Sequence, residues 1–189
     1  MVEGLTGGWT DLPLAEQGRH QAWRTGLYLA DNLLEYPSSY TFYSSDLLRA
    51  SETASIIGTY IQLDPVITAD LREINNGTVA YCTEKEAEGM KQHPTYPPVD
   101  WVPYPGAESW GIFRKRIVRF MEGISSDRKV LMVAHSNVII AILHWWLQMD
   151  ERTASRISFD TDPCSITVLR INAWEERTIS TLNYTGRTV

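Results

Sequence analysis

Cysteine is scarce in this sequence: Cys82 and Cys164 are the only two in 189 residues. They form no metal-ligand spacing with each other, and a domain of this size needs no disulfide, so a reducing, cytoplasmic setting is expected. Basic residues are also in deficit, 17 Lys and Arg against 23 Asp and Glu, for a net charge of −6. That balance argues against nucleic acid or an anionic membrane as the main partner. Long apolar runs are missing too: the longest, Val138 to Leu147, is broken by His144 and is too short to span a bilayer. Neither a Gly-x-Gly-x-x-Gly nor a Walker lysine occurs, which disfavours a nucleotide-binding α/β protein. The four histidines, His20, His93, His135 and His144, share no ligand spacing, so no metal and no cofactor is expected. Repeats, low-complexity tracts and internal linkers are absent. With 43% hydrophobic residues, residues 1–189 read as one domain large enough for a three-layer core.

The most informative stretch runs from Lys129 to Asn137. Val130, Leu131, Met132, Val133 and Ala134 form an apolar run with charge before it and a polar pair after it, the pattern of a strand buried on both faces. The apolar run from Val138 to about Met149 has the length of a helix. His135 therefore falls where a strand ends and a helix begins, at the carboxyl edge of a sheet. Ligands bind at that edge in open α/β sheets, and a helix N-terminus there attracts anions. Two readings fit His135: an anion contact, or an imidazole satisfied by a neighbouring carbonyl.

The rest of the chain alternates in the same way. The first 14 residues are a glycine-rich loop, followed by a helix to about Glu35 with Ala22, Leu27, Leu29 and Leu33 among its apolar positions. Arg19 and His20 sit on a polar first turn and read as a solvated face. Tyr40–Ser44 is a short aromatic and β-branched strand. Ser45 and Asp46 can cap the next helix, whose inner face holds Ala50, Ala54, Ile57 and Tyr60 or Ile61. Arg49 in its first turn repeats the placement of His135, and a cation there conflicts with the helix dipole unless it meets an anion. Pro65–Asp70 is a third strand, and Glu73 just beyond it can hold a proton for a leaving group or simply pair with Arg72 in solvent. A helix over residues 83–92 leads into the segment from His93 to Gly106, which carries five of the nine prolines and is long enough to act as a lid. An amphipathic helix from Glu108 to about Ile124 turns Ile112, Ile117, Phe120 and Met121 inward and exposes Arg114, Lys115 and Arg116. His144 reads as structural. After a short polar helix at Asp150–Arg156, residues 165–171 and 177–184 alternate apolar and polar as a β-hairpin, the antiparallel edge of the sheet.

Four local patterns in this order resemble the histidine phosphatase (phosphoglycerate mutase-like) superfamily. They are Gly8–Leu14 with Gly18, Gln21 and Ala22; Ser44–Asp46 with Arg49 and Ala50; Leu71–Glu73; and Val133–Asn137. Pro105–Ser109 is similar to the family's stretch before its long helix. The resemblance implies an α/β/α fold, a mostly parallel mixed sheet with a C-terminal antiparallel hairpin, and metal-free phosphoryl transfer through a phosphohistidine. It implies that His135 donates to phosphoryl oxygens, Arg49 clamps them and Glu73 protonates the leaving alkoxide. Ser136, Asn137 and Trp9 are the expected substrate-binding residues, and a small phosphorylated metabolite is the expected partner. Phosphatase fits better than mutase, since no long insertion encloses a sugar-acid site.

The sequence departs from the family pattern in lacking the Arg-His-Gly motif, which carries the nucleophilic histidine, and the first central strand that leads into it. A smaller departure is Ala134 before His135 and Ser136 after it, where a hydroxyl residue and a glycine are common. The resemblance therefore implies an N-terminally incomplete domain over residues 1–189, inactive or nearly so as written. The alternative is a pseudophosphatase that binds a phosphate ligand without turning it over.

Overall fold

The computed structural model describes residues 4–32, 37–125 and 127–186. Expectations for Leu33 and Glu35 lie outside these. Two hydrophobic clusters sandwich a parallel sheet and give the domain its three layers. The sheet has the order β2-β1-β3, with β1 spanning Tyr40–Ser45, β2 Val66–Thr68 and β3 Lys129–Val133. Side chains alternate across it, as a pleated strand requires. Phe42, Leu131 and Val133 face Leu29 of helix α1 (Glu16–Asn32) and Ala54, Ile57 and Ile61 of helix α2 (Leu48–Ile61). Tyr43 and Met132 face the opposite cluster. There they meet Phe113 and Ile117 of helix α4 (Trp110–Glu122) and Val138, Ala141 and Ile142 of helix α5 (Ser136–Trp146). Helix α3 (Glu84–Met90) lies before α4, its N-terminus closed by a Thr83–Glu86 capping box.

The hairpin differs from the expected sheet edge. Strands β4 (Ile166–Ile171) and β5 (Arg177–Tyr184) pair antiparallel as a separate two-stranded sheet, beyond the short helix α6 (Glu151–Ala154). It is held to the body by side chains: Ile166 joins the α1–α2 cluster and Leu169 joins the α4–α5 cluster. The hairpin thus packs against both hydrophobic clusters.

Three local expectations are corrected. On α4 the phase of the apolar face is off by one position: Phe113 is fully buried, whereas Ile112 is 56% exposed. One step along a helix turns a side chain through about 100°, so Phe113, Ile117, Phe120 and Met121 share the inner stripe and Ile112 does not. Arg114 and Arg116 are not a solvated face. Arg114 donates to the Met149 carbonyl, and Arg116 is bonded on both terminal nitrogens and Nε. Ser45 and Asp46 do not cap α2. The cap residue is Leu47, and the first helical N–H, that of Leu48, donates to the distant Asp11 carboxylate at 2.6 Å. On the inner face of α2 it is Ile61 that is buried, while Tyr60 is 38% exposed.

Behind the site edge, the loops tie together at Asn75-Asn76-Gly77. The Asn76 carboxamide accepts the Trp9 N–H and donates to Thr6 Oγ1 and the Gly7 carbonyl. Gly77 has φ +59°, and a Cβ there would lie 2.2 Å from the Pro105 carbonyl oxygen. Gly77→Ala is therefore expected to destabilise the protein by about 3 kcal/mol, from the left-handed backbone and the clash together. Gly89→Ala, where a Cβ meets nothing within 4 Å, should instead be neutral or stabilise by up to about 1 kcal/mol. Urea denaturation midpoints of the two variants check both.

Candidate active site

The carboxyl ends of β1 and β3 lie side by side because their parallel register pairs Ser44 with Val133. Ser45 closes β1, Arg49 and His135 stand just past those ends, and the loop after β2 brings in Glu73. Ser45 is fully buried, while Glu73 and His135 are 8% and 7% exposed. His135 is the N-cap residue of α5, and its Nε2 lies 2.9 Å from Ser45 Oγ. Glu73 spans the space between loop and helix. One carboxylate oxygen accepts the Ile74 N–H at 2.7 Å and the other accepts the Asn137 N–H, at the N-terminus of α5, at 3.3 Å. Arg49 donates to the carbonyls of Gly8 and Thr10, both at 2.8 Å. A guanidinium has five N–H donors, so these two bonds orient Arg49 and leave other donors for a ligand.

The structure thus brings together the three residues singled out from the sequence as reactive, Arg49, Glu73 and His135. Arg49 and Glu73 attract each other, and Arg49 repels a charged His135. Of the expected substrate-binding residues, Asn137 is in the group through its bond to Glu73. Ser136 is exposed and hydrogen-bonds Thr161 through the two hydroxyls. Trp9 is pinned at the rim: its Nε1 donates to the Glu73 carbonyl at 2.8 Å and the Arg72 guanidinium lies 4.6 Å from the ring centre. Arg72 is held by a bidentate contact to Asp46, at 2.8 and 2.6 Å.

Arg116 and Glu108 were not legible in the sequence as part of this site. The Arg116 fork grips both oxygens of Glu108 and the carbonyls of Asp70, Arg72 and Glu73. Glu108 in turn accepts the Asn75 N–H at 2.9 Å. This half-buried pair fixes the backbone that carries Glu73. The signal for Glu108 was its place in the Pro105–Ser109 pattern; Arg116 had none beyond its charge on a helix.

His144, by contrast, is a core residue. It is 1% exposed, its Nε2 bonds the Ile157 carbonyl, and Trp110 and Phe159 pack around the ring. His20 lies exposed on α1 against the edge of Trp23. The proline-rich segment is anchored at its base, where the Gln92 N–H donates to the Pro103 carbonyl. Residues 93–98 above that tie are exposed. No group of three or more His, Cys, Asp or Glu able to hold a metal occurs among the described residues. Among them no helix is long and apolar enough to cross a membrane.

Charge within the group is set by burial and by the arginines. Burial, then the nearby Arg49 and Arg116, push His135 down to about 3, with Asp46 opposing. Burial raises the Glu73 carboxyl, against the N–H donors of Ile74 and Asn137 and the charge of Arg49. At neutral pH the native imidazole is therefore uncharged. Below about pH 6.5 the unfolded chain takes up a proton at His135 that the native protein refuses, so this stability is complete above that pH and is lost as pH falls toward 3. Glu73 acts in the opposite sense, its contribution being lost as pH rises above its unfolded value. Urea denaturation from pH 7 to pH 4 should show His135→Asn losing less stability on acidification than the parent. The difference in slope should approach about 1.4 kcal/mol per pH unit in mid-range. Equal slopes would place His135 in water.

Comparison with known proteins identifies the family and the fold. Residues 1–185 match the histidine phosphatase superfamily, branch 1. An uncharacterized phosphatase of Bacillus subtilis, PhoE, is 32% identical over 142 residues. That match covers 72% of this chain and 65% of the relative, so the chain spans just under two thirds of the relative's length. The α-ribazole phosphatase of Shigella flexneri superposes with a TM-score of 0.81 at 22% identity, covering 100% of this chain and 92% of that one. A mycobacterial glucosyl-3-phosphoglycerate phosphatase in complex with VO3 gives 0.75 at 22% identity, over 97% and 92% of the two chains. The chain belongs to the histidine phosphatase superfamily, branch 1.

Proposed function

We propose that this chain carries the phosphate-binding and acid half of a phosphomonoester hydrolase that works through a phosphohistidine. The observation that carries the reading is the convergence of Arg49, Glu73 and His135 at one strand edge, beside the N-terminus of α5. Each group suits one part of phosphoryl transfer. The free donors of Arg49 and the neutral ring of His135 bind the equatorial oxygens as charge builds on them. Glu73, with its raised proton affinity, protonates the departing alkoxide. Asn137 holds the Glu73 carboxylate against α5, and Trp9 and Ser136 stand where the organic part of the substrate leaves the pocket. A small phosphorylated metabolite is the partner. Membership of a family with phosphatase relatives supports the assignment, as does the VO3 complex of the mycobacterial neighbour. Phosphatase is preferred to mutase. The two free cysteines suit a reducing, cytoplasmic setting.

The 189 residues contain no Arg-His-Gly. His144 is packed in the core, and His20 and His93 are exposed. These 189 residues by themselves are therefore proposed to bind phosphate and to hydrolyse esters negligibly. The same observation favours a second reading, a pseudophosphatase whose task is to hold a phosphate ligand.

Calorimetry with orthovanadate and an aryl phosphate assay test both readings. Saturable vanadate binding, abolished in His135→Ala, is expected, together with negligible release of p-nitrophenol. Adding free imidazole separates the readings, because it can stand in for the nucleophile and pass its phosphoryl group to water. Imidazole-dependent turnover that disappears in His135→Ala supports the hydrolase, and its absence supports the pseudophosphatase. Failure of the wild-type protein to bind vanadate contradicts both.

A further inference from the structure

Ser45 has no assigned role in the pocket just described, yet it is its most deeply buried polar side chain, at 0% exposure. Its hydroxyl has two neighbours within hydrogen-bond reach among the described residues. The Leu47 backbone N–H, at 3.3 Å, can only give a hydrogen. His135 Nε2, at 2.9 Å, can give or take one. A hydroxyl carries one hydrogen and two lone pairs, and a sealed O–H needs an acceptor. Among the described residues the imidazole is the only acceptor in reach, so Nε2 must present its lone pair and the ring hydrogen must sit on Nδ1. In the opposite tautomer the Nε2 hydrogen would point at the hydroxyl, and the hydroxyl hydrogen would have nowhere to go.

We propose that Ser45 is a positioning residue that fixes His135 in its Nδ1–H tautomer, so that the ring offers an anion an N–H donor and not a lone pair. Nδ1 has no hydrogen-bond partner among the described residues, and it is not among the sealed polar atoms left without one. It is therefore the ring atom open to a ligand. The direction of the Ser45 hydrogen decides whether His135 attracts or repels an anion, because a neutral imidazole is a donor on one side only. The proposal rests on reading the pocket as a phosphate site, but the tautomer can be observed without any ligand.

The test is a long-range ¹H–¹⁵N correlation spectrum of the histidine rings in the full chain at pH 7, for the wild type, Ser45→Ala and Ser45→Thr. The wild type is expected to show His135 with its hydrogen on Nδ1. Ser45→Ala should move it largely to Nε2, the form that histidine side chains prefer in water, and Ser45→Thr should restore Nδ1–H. Calorimetry with inorganic phosphate should show about a tenfold loss of affinity in Ser45→Ala and recovery in Ser45→Thr. A residue with a purely structural role would lower the melting temperature and leave the tautomer unchanged. A wild-type spectrum with the hydrogen on Nε2 overturns the proposal, as does a folded Ser45→Ala that keeps Nδ1–H. If Ser45→Ala does not fold, the wild-type and Ser45→Thr spectra decide. A wild-type Nδ1–H tautomer in a protein that binds no phosphate upholds the Ser45 assignment and contradicts the phosphate reading.

Discussion

The parallel register of β1 against β3 is the constraint from which the site follows. Pairing Ser44 with Val133 sets Ser45 and His135 within reach of each other and starts α2 and α5 from the same edge. A slip of β1 by one residue would turn Phe42 and Tyr43 each toward the wrong cluster, because alternate side chains face opposite layers. The two hydrophobic clusters therefore fix the register, and the register fixes the distance between Ser45 and His135. Burial of aliphatic side chains with no polar function determines the placement of an imidazole to within a hydrogen bond.

Three guanidinium groups then shape the loops around that edge. Arg49 holds the segment at Gly8 and Thr10, Arg72 clasps Asp46 beneath Trp9, and Arg116 gathers the carbonyls of residues 70, 72 and 73 around the Glu108 carboxylate. A planar fork with several donors is suited to such work, since it satisfies several backbone oxygens at once. Two of the three forks are paired with carboxylates, Arg72 with Asp46 and Arg116 with Glu108, and Glu73 attracts the third, Arg49. Burial, with Arg49 and Arg116 adding to it, keeps the His135 ring neutral.

The layered fold could be read from the sequence because it follows from short-range patterns. The apolar run before His135, the spacing of Ala54, Ile57 and Ile61, and the alternation in the hairpin each declare an element, and the order of elements limits the topology. The positions of Arg49, Glu73 and His135 beyond strand tips were legible for the same reason. What could not be read was anything that depends on a distant partner. Asp11 accepts the first helical N–H of α2 from 37 residues away. Arg116 looked like surface charge because a helical pattern contains no information about the carbonyls that face it across a loop. Ile112 was misjudged because Ile112 and Phe113 are both apolar and only packing selects between them. The separation of the hairpin from the parallel sheet is likewise a matter of which backbone edges meet, and alternation along a strand does not encode it.

The most direct test of the shared anion pocket is a crystal structure of the protein with bound inorganic phosphate. The phosphate is expected at the N-terminus of α5, with an oxygen about 3 Å from His135 Nδ1 and another within the same reach of the Arg49 guanidinium. Phosphate bound away from both side chains, or a pocket left empty at saturating phosphate, would contradict the convergence of Arg49, Glu73 and His135 on one ligand.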